Sequence, residues 1–129
     1  DDWALISGTA LASDIHAWAA FNVLMRNRER TKMKSNSIDG EFIRLLSGTH
    51  HIATSFNRAG LQKGDTTAWL VDLSCSNLEL EFVEHANKMD FTLLDDRPNL
   101  EIFDSSRMGI VSPKNENAAI AHIHLADIR

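Results

Sequence analysis

Cysteine is almost absent from this sequence: Cys75 is the lone thiol in 129 residues. One cysteine excludes an internal disulfide framework and suits a reducing compartment, so a cytoplasmic protein is expected. Its surroundings (LVDLSCSN) bring no base, and Cys75 reads as a small buried residue rather than a nucleophile. No apolar run approaches the roughly 18–20 residues that a membrane-spanning helix needs, and no signal-peptide pattern is visible. The chain starts at Asp1 without an initiator Met, which reads as a trimmed or disordered start. Also missing are a G-x-S-x-G elbow, a Walker loop, a G-x-G-x-x-G turn and an H-E-x-x-H helix. Nothing assembles a nucleophile, a base and a group to orient it, so the chain is expected not to be an enzyme. There is no internal repeat and no low-complexity segment.

Net positive charge is missing too. Thirteen Lys and Arg stand against eighteen Asp and Glu, a net charge of −5, which excludes a general polycation that would coat nucleic acid. The distribution is more informative. Residues 65–129 hold five cations against twelve acids, whereas residues 20–64 hold eight cations against three acids. A local basic surface on an acidic protein is therefore expected. An apolar content of 43% with 24% charged residues is that of an ordinary globular protein. The length suits one domain, residues 1–129, with a single core.

The centre of the chain is the stretch Glu41–Leu73. Phe42–Leu46 is a short apolar run, helix or strand, that stops at Ser47-Gly48-Thr49. Ile52, Ala53, Phe56 and Ala59 then recur with helical spacing and should form the inward face of a helix. Thr49 could cap its start, and Gly60 sits where a C-cap glycine belongs. Lys63-Gly64-Asp65 makes a turn into Thr67–Leu73, a strand by its Thr, Trp, Leu and Val content. The free amides at the start of a helix capped by Ser-Gly-Thr would make a weak anion site.

On either side of this stretch the elements are plainer. Trp3–Ser7 is a short strand closed by Gly8. Ser13 or Asp14 caps a helix that runs to about Arg30, with Ala17, Ala20, Phe21 and Leu24 as its inner stripe and Trp18 and Met25 widening it. His16 is expected at the surface or boundary, and Trp18 and Trp69 in the core. Arg26, Arg28, Arg30, Lys32 and Lys34 crowd the end of that helix, where cations suit the dipole, and Ser35–Gly40 is a turn-rich connector. Ser76-Asn77-Leu78-Glu79 has the form of a capping box, ahead of Leu78, Phe82, Ala86 and Met89 at helical spacing. Asp95-Asp96 reads as a loop or cap. Pro98 opens a second helix through about Arg107, with Leu100 and Phe103 inside. Ser112–Asn115 is a loop, and Ala119–Ala126 alternates as a strand. This irregular order favours an α+β fold: a small, mostly antiparallel sheet packed against several helices.

Two chemistries compete on these residues. His122-x-His124 would point the same way on a strand, as metal ligands do, but no third ligand accompanies the pair. His50 and His51 diverge by about 100° on a helix and cannot easily share a metal. No cofactor or metal is therefore expected, and a small metal-dependent hydrolase stands as the alternative, beside a stand-alone protein-interaction module. The residues alone favour an adaptor with a basic, histidine-bearing polar face. His50, His51 and Arg58 lie on that face, where they could meet a phosphate or stack on an unpaired base.

A resemblance goes further. ASDIHAWAAFNVLMRNRERTKMKS, then EFIRLLSGTHHIATSFNRAG, then a Gly-Asp turn into TAWLVDL, resembles the small kinase-binding subunit of the KEOPS (EKC) tRNA-modification complex, archaeal type. The likeness covers roughly residues 3–73, with AAIAHIHLADI a looser counterpart of the family's last strand. The family more often carries Arg-Gln where this chain has His50-His51. The resemblance implies a non-catalytic subunit that binds and promotes the complex's small atypical kinase/ATPase. It also implies capture of the single-stranded 3′ end of tRNA during threonylcarbamoyl-adenosine formation. Carried onto this chain, the tRNA-binding residues would be Arg26, Arg28, Arg30, Lys32, Lys34, Gly48, Thr49, His50, His51 and Arg58.

Overall fold

In the computed structural model, the described residues are 3–49, 51–74, 84, 87–88, 94, 96–110 and 115–128. Among them are two strands and four helices: β1 (Trp3–Ser7), α1 (Asp14–Glu29), α2 (Ile38–Ser47), α3 (Ile52–Arg58), β2 (Ala68–Asp72) and α4 (Glu116–Ile128). The fold is α+β, as expected. β1 and β2 pair antiparallel, with Trp3 opposite Asp72 and Ser7 opposite Ala68. A bridge between Ile6 and Gly60 lies on the other edge of β1. Alternation is visible in β1, where Ala4 and Ile6 are fully buried and Trp3 and Leu5 are half-buried, the period of a strand with one covered face.

The sheet is an accessory; α2 is the hub. It packs against β1, α1, α3 and α4, and every residue from Gly40 to Ser47 is buried. Its start lies inside the expected connector. Ser37 is the N-cap, its hydroxyl accepting the Gly40 amide at 3.2 Å, and Asp39 and Glu41 occupy the first turn. The apolar run Phe42–Leu46 is thus the middle of a helix whose cap and first turn are polar and read locally as a turn.

α1 follows its expectation closely in extent. Ser13 caps it, accepting the His16 amide at 3.0 Å. Its buried stripe, however, is His16, Ala20, Val23, Leu24 and Asn27, rotated from the expected one. His16 is 1% exposed and Trp18 is 61% exposed, the reverse of both expectations. His16 earns its place by accepting the Ala12 amide on Nδ1 at 3.0 Å and meeting Phe103 edge-on at 5.6 Å.

Four further expectations are corrected. Ala119–Ala126 is not a strand but the body of α4, burying Ala119, Ile123 and Ala126; four alanines among its thirteen residues favour helix. Residues 98–107 form turns instead of a helix. Asn99 Oδ1 accepts the amides of Glu101 and Ile102 at 2.9 and 3.2 Å, offering the backbone an alternative to helical bonding. Phe103 is buried there as expected, while Leu100 is exposed. In α3 most of the expected face turns outward: Ser55 is the buried residue, Ile52, Ala53 and Phe56 are exposed, and of the expected face only Ala59, just past the helix, is buried. That orientation is set by Ser7, whose amide donates to Ala59 O at 2.8 Å, and by Arg58, whose Nη1 donates to Ser47 O at 2.6 Å. Gly60 serves in the bridge to Ile6 rather than as a left-handed cap.

Glu84, Asn87 and Lys88 are helical. Cys75, the Ser76–Glu79 capping box with Leu78, Phe82, Ala86 and Met89, Asp95, and residues 112–114 lie outside the described residues.

Candidate nucleic-acid interface

Nine of the ten residues expected to contact tRNA are described, and they fall into two groups at opposite ends of α2, roughly 15 Å apart by the 1.5 Å rise of a ten-residue helix. His50 lies outside the described residues.

The first group surrounds the α2 N-terminus. α1 ends in a Schellman motif: the Thr31 amide donates to Arg28 O at 3.2 Å and the Lys32 amide to Asn27 O at 2.7 Å. The left-handed position of this motif, normally glycine's, is filled by Thr31 at φ +55°. The chain thereby reverses and brings Lys32 and Lys34 back beside the last turn of α1. The result is a groove of about 560 Å³ lined by Arg26, Asn27, Arg30, Lys32, Lys34 and Asp127. Arg30, Lys32 and Lys34 are exposed and make no ion pair among the described residues. Arg28 is exposed as well, but does not line the groove.

Behind the groove-lining residues lies an internal charge network. Glu41 and Arg44 form a bidentate pair at 2.8 and 2.9 Å, with side chains 0% and 1% exposed. Glu41 Oε1 also accepts the amides of Lys34 and Ser35 at 3.3 and 3.2 Å, fixing the basic segment to α2. Arg44 Nη1 donates to Ala126 O at 2.9 Å, tying α4 to the same point. A buried pair needs this degree of saturation to offset its desolvation. Beside it, Asp127 accepts from Arg26 and, at 2.9 Å, from Asn27. Burial pushes the Asp127 carboxyl up, but the Asn27 and Arg26 hydrogen bonds and the charges of Arg26 and Arg44 outweigh it. Its pKa settles below the ordinary carboxylate value.

At the other end of α2 the expected residues are occupied by the fold. Gly48 caps the helix at φ +70°, and a Cβ there would stand 2.1 Å from His122 Nε2. His122 Nε2 lies 2.9 Å from Ser47 O and 2.8 Å from Met108 O; since both partners are carbonyls, this nitrogen carries the proton. Arg58 donates to the same Ser47 carbonyl, its guanidinium lying across Gly109. A cation and an imidazole thus close the α2 C-terminus, where the helix dipole favours positive charge. Thr49 is buried, its Oγ1 accepting the His51 amide at 3.2 Å. It does not cap α3: the N-cap is His51, without a side-chain cap bond, and α3 has only seven residues. His51 is exposed.

The two histidines of the expected metal pair do not face the same way. On helix α4, His122 and His124 diverge by about 200°, with His122 half-buried and His124 exposed. Among the described residues no group of three or more metal-binding side chains occurs.

Sequence reasoning missed two features. Asp127 and Asn27 shape the groove although neither belongs to the basic run, and no local signal marks Asp127, whose partners lie about a hundred positions away. The second is an apolar outer face on α1, where Ile15 and Trp18 are both 61% exposed one turn apart. Trp18 is steadied by an edge-on contact with Phe21, ring centroids 5.6 Å apart. A rigid exposed tryptophan is the side chain most enriched where protein partners dock. No described helix is long and apolar enough to cross a membrane.

Among curated proteins, none matches the chain. The family model described as kinase binding protein CGI-121 matches residues 1–109, which spans β1 through the turns before α4. On that match the chain belongs to the CGI-121 family of kinase-binding proteins.

Proposed function

We propose that this chain is a non-catalytic subunit of the KEOPS complex in the cytoplasm. In this reading it binds and activates the complex's small atypical kinase/ATPase, and recruits tRNA by its single-stranded 3′ end for threonylcarbamoyl-adenosine formation. The observation that carries the kinase half is membership of a kinase-binding family over residues 1–109. Ile15 and Trp18, apolar and exposed within that matched part, are the side chains that best suit a docking anchor. The test is co-elution of the two purified proteins from a sizing column at micromolar concentration. Wild type forms a 1:1 complex and Trp18→Glu does not; absence of any complex with wild type sinks the kinase reading.

The RNA half rests on the groove at the end of α1. Arg26, Arg30, Lys32 and Lys34 converge there, and three of them carry no internal partner among the described residues, which suits phosphates better than a solvated helix end does. Affinity would come from counterion release. The exposed His51 at the far end of α2 offers a ring on which an unpaired 3′ base can stack. A gel-shift titration with tRNA bearing and lacking its 3′ tail separates the two contributions. Arg30→Ala with Lys32→Ala weakens both RNAs, whereas His51→Ala narrows the preference for the tailed RNA. Equal affinity of wild type for both RNAs would leave the chain as a kinase partner only.

A further inference from the structure

The groove contains one group that does not belong in a phosphate site. Asp127 points its carboxylate at Arg26 and Asn27, inside a ring otherwise made of Arg30, Lys32 and Lys34. A carboxylate and a phosphate present the same face to these donors: acceptor-only oxygens, with a geometry that a guanidinium grips. We propose that Asp127 is a built-in competitor, holding Arg26 until a polyanion carrying several phosphates displaces it. This inference deepens the RNA reading above and rests on it for the identity of the natural ligand.

The two partners differ in freedom. Asp127 sits in the last turn of α4, whose backbone is held from behind by Arg44 on Ala126 O. The Arg26 side chain is 38% exposed and the Asp127 side chain 16%, so the long arginine is the partner that can swing outward. Asn27 is buried and stays with Asp127. A single small anion meets the carboxylate's repulsion and gains little; a chain of phosphates also engages Arg30, Lys32 and Lys34, which offset it. The consequence is selectivity for extended polyanions.

The experiment compares wild type with Asp127→Asn, and with Asp127→Ser in case the first variant folds poorly. Two probes are titrated over a range of salt: inorganic tripolyphosphate and a tRNA with its 3′ tail. Removing one like charge at close range should tighten both probes about three- to tenfold. Freeing Arg26 should steepen the salt dependence of RNA binding by about one phosphate contact, a change that a purely structural role for Asp127 would not produce. Arg26→Ala should abolish the gain when combined with Asp127→Asn. If tripolyphosphate tightens and RNA does not, Asp127 is a competitor for anions and the RNA reading fails. If neither probe tightens in a variant whose thermal unfolding matches wild type, the competitor role is overturned.

Discussion

The two ends of α2 hold similar residues and use them in opposite ways. At the C-terminal end Arg58 and His122 converge on one carbonyl, Ser47 O, and are committed to closing the helix. At the N-terminal end the internal work is done by Glu41 and Arg44, buried and mutually paired, which leaves Arg30, Lys32 and Lys34 facing solvent. A cation count along the sequence cannot separate these cases. What separates them is whether an unsatisfied helix end or a buried carboxylate stands within reach. A basic residue near an unfilled carbonyl becomes structure; one whose neighbourhood is already satisfied stays available to a ligand.

The largest effect should come from breaking the pair that frees the groove. Glu41→Gln leaves Arg44 buried without its counter-charge, and loss of one partner of such a pair costs about 3–5 kcal/mol. Urea unfolding would show the loss. Alanine at Arg30 or Lys32 should change stability by no more than about 0.5 kcal/mol, as at exposed sites without partners. Comparable losses at Arg30 and Glu41 would erase the distinction between the buried pair and the groove wall.

The C-terminal end should break in a different manner. Gly48→Ala must hold a Cβ at positive φ and push it into the His122 ring, costing about 2–4 kcal/mol from backbone strain and overpacking. Arg58→Ala removes a charged donor from the carbonyl of buried Ser47 and should cost about 1.5–3 kcal/mol. Per molecule still folded, Arg58→Ala should leave the salt slope of RNA binding unchanged, whereas Lys32→Ala should lower it by about one. A reduced slope for Arg58→Ala would move that residue into the RNA site.

Acid should act on the core between these ends. His16 is pushed down from 6.5 to about 4 by burial and, secondarily, by the nearby His122. Above pH 6.5 the ring is neutral both folded and unfolded and contributes nothing. As pH falls from 6.5 towards 4 only the unfolded chain takes up the proton, so stability is lost, by about 2 kcal/mol at about pH 5. Well below pH 4 both states carry the proton and this group causes no further loss. His16→Asn, which keeps an acceptor near the Ala12 amide, should flatten urea midpoints over this window. An unchanged pH profile in that variant would assign the acid sensitivity elsewhere.

Much of this architecture was legible. β1, α1 with its Ser13 cap, and the turn into β2 were readable because their signals are local: a cap, a dipole, β-branched content. The basic run was readable as well. The misreadings share a cause, which is that short apolar segments do not declare which face turns inward. Ile52 and Phe56 have helical spacing, yet Ser55 faces the interior because Ala59 O is held by Ser7 and Arg58 by Ser47, outside the helix itself. AIAHIHLA satisfies a period of two as well as one of 3.6, and packing against α2 decides for the helix. Asp127 was invisible as a groove residue, since its partners Arg26 and Asn27 lie about a hundred positions away.

The finest distinction concerns the two helix caps themselves. α2 ends on Gly48 and α1 ends on Thr31, both in the left-handed region. Only the first has the residue that this geometry favours. For an L residue the left-handed conformation costs about 1–2 kcal/mol, and β-branching makes Thr a poor occupant. The Thr31 hydroxyl recovers part of this by donating to Arg30 O at 2.7 Å. Glycine at the position would relieve the strain but add freedom to the unfolded chain, roughly 0.5–1 kcal/mol in the other direction. Thr31→Gly should therefore stabilise the fold slightly, by about 0.5–1 kcal/mol, measured as a raised urea midpoint with an unchanged slope. Because no charge is removed, tripolyphosphate affinity should fall only if the stiff Thr31 turn holds Lys32 and Lys34 over the groove. A stabilised variant with weaker binding would show that the strained turn shapes the site. A destabilised one would show that the hydroxyl, not the backbone, decides at this cap.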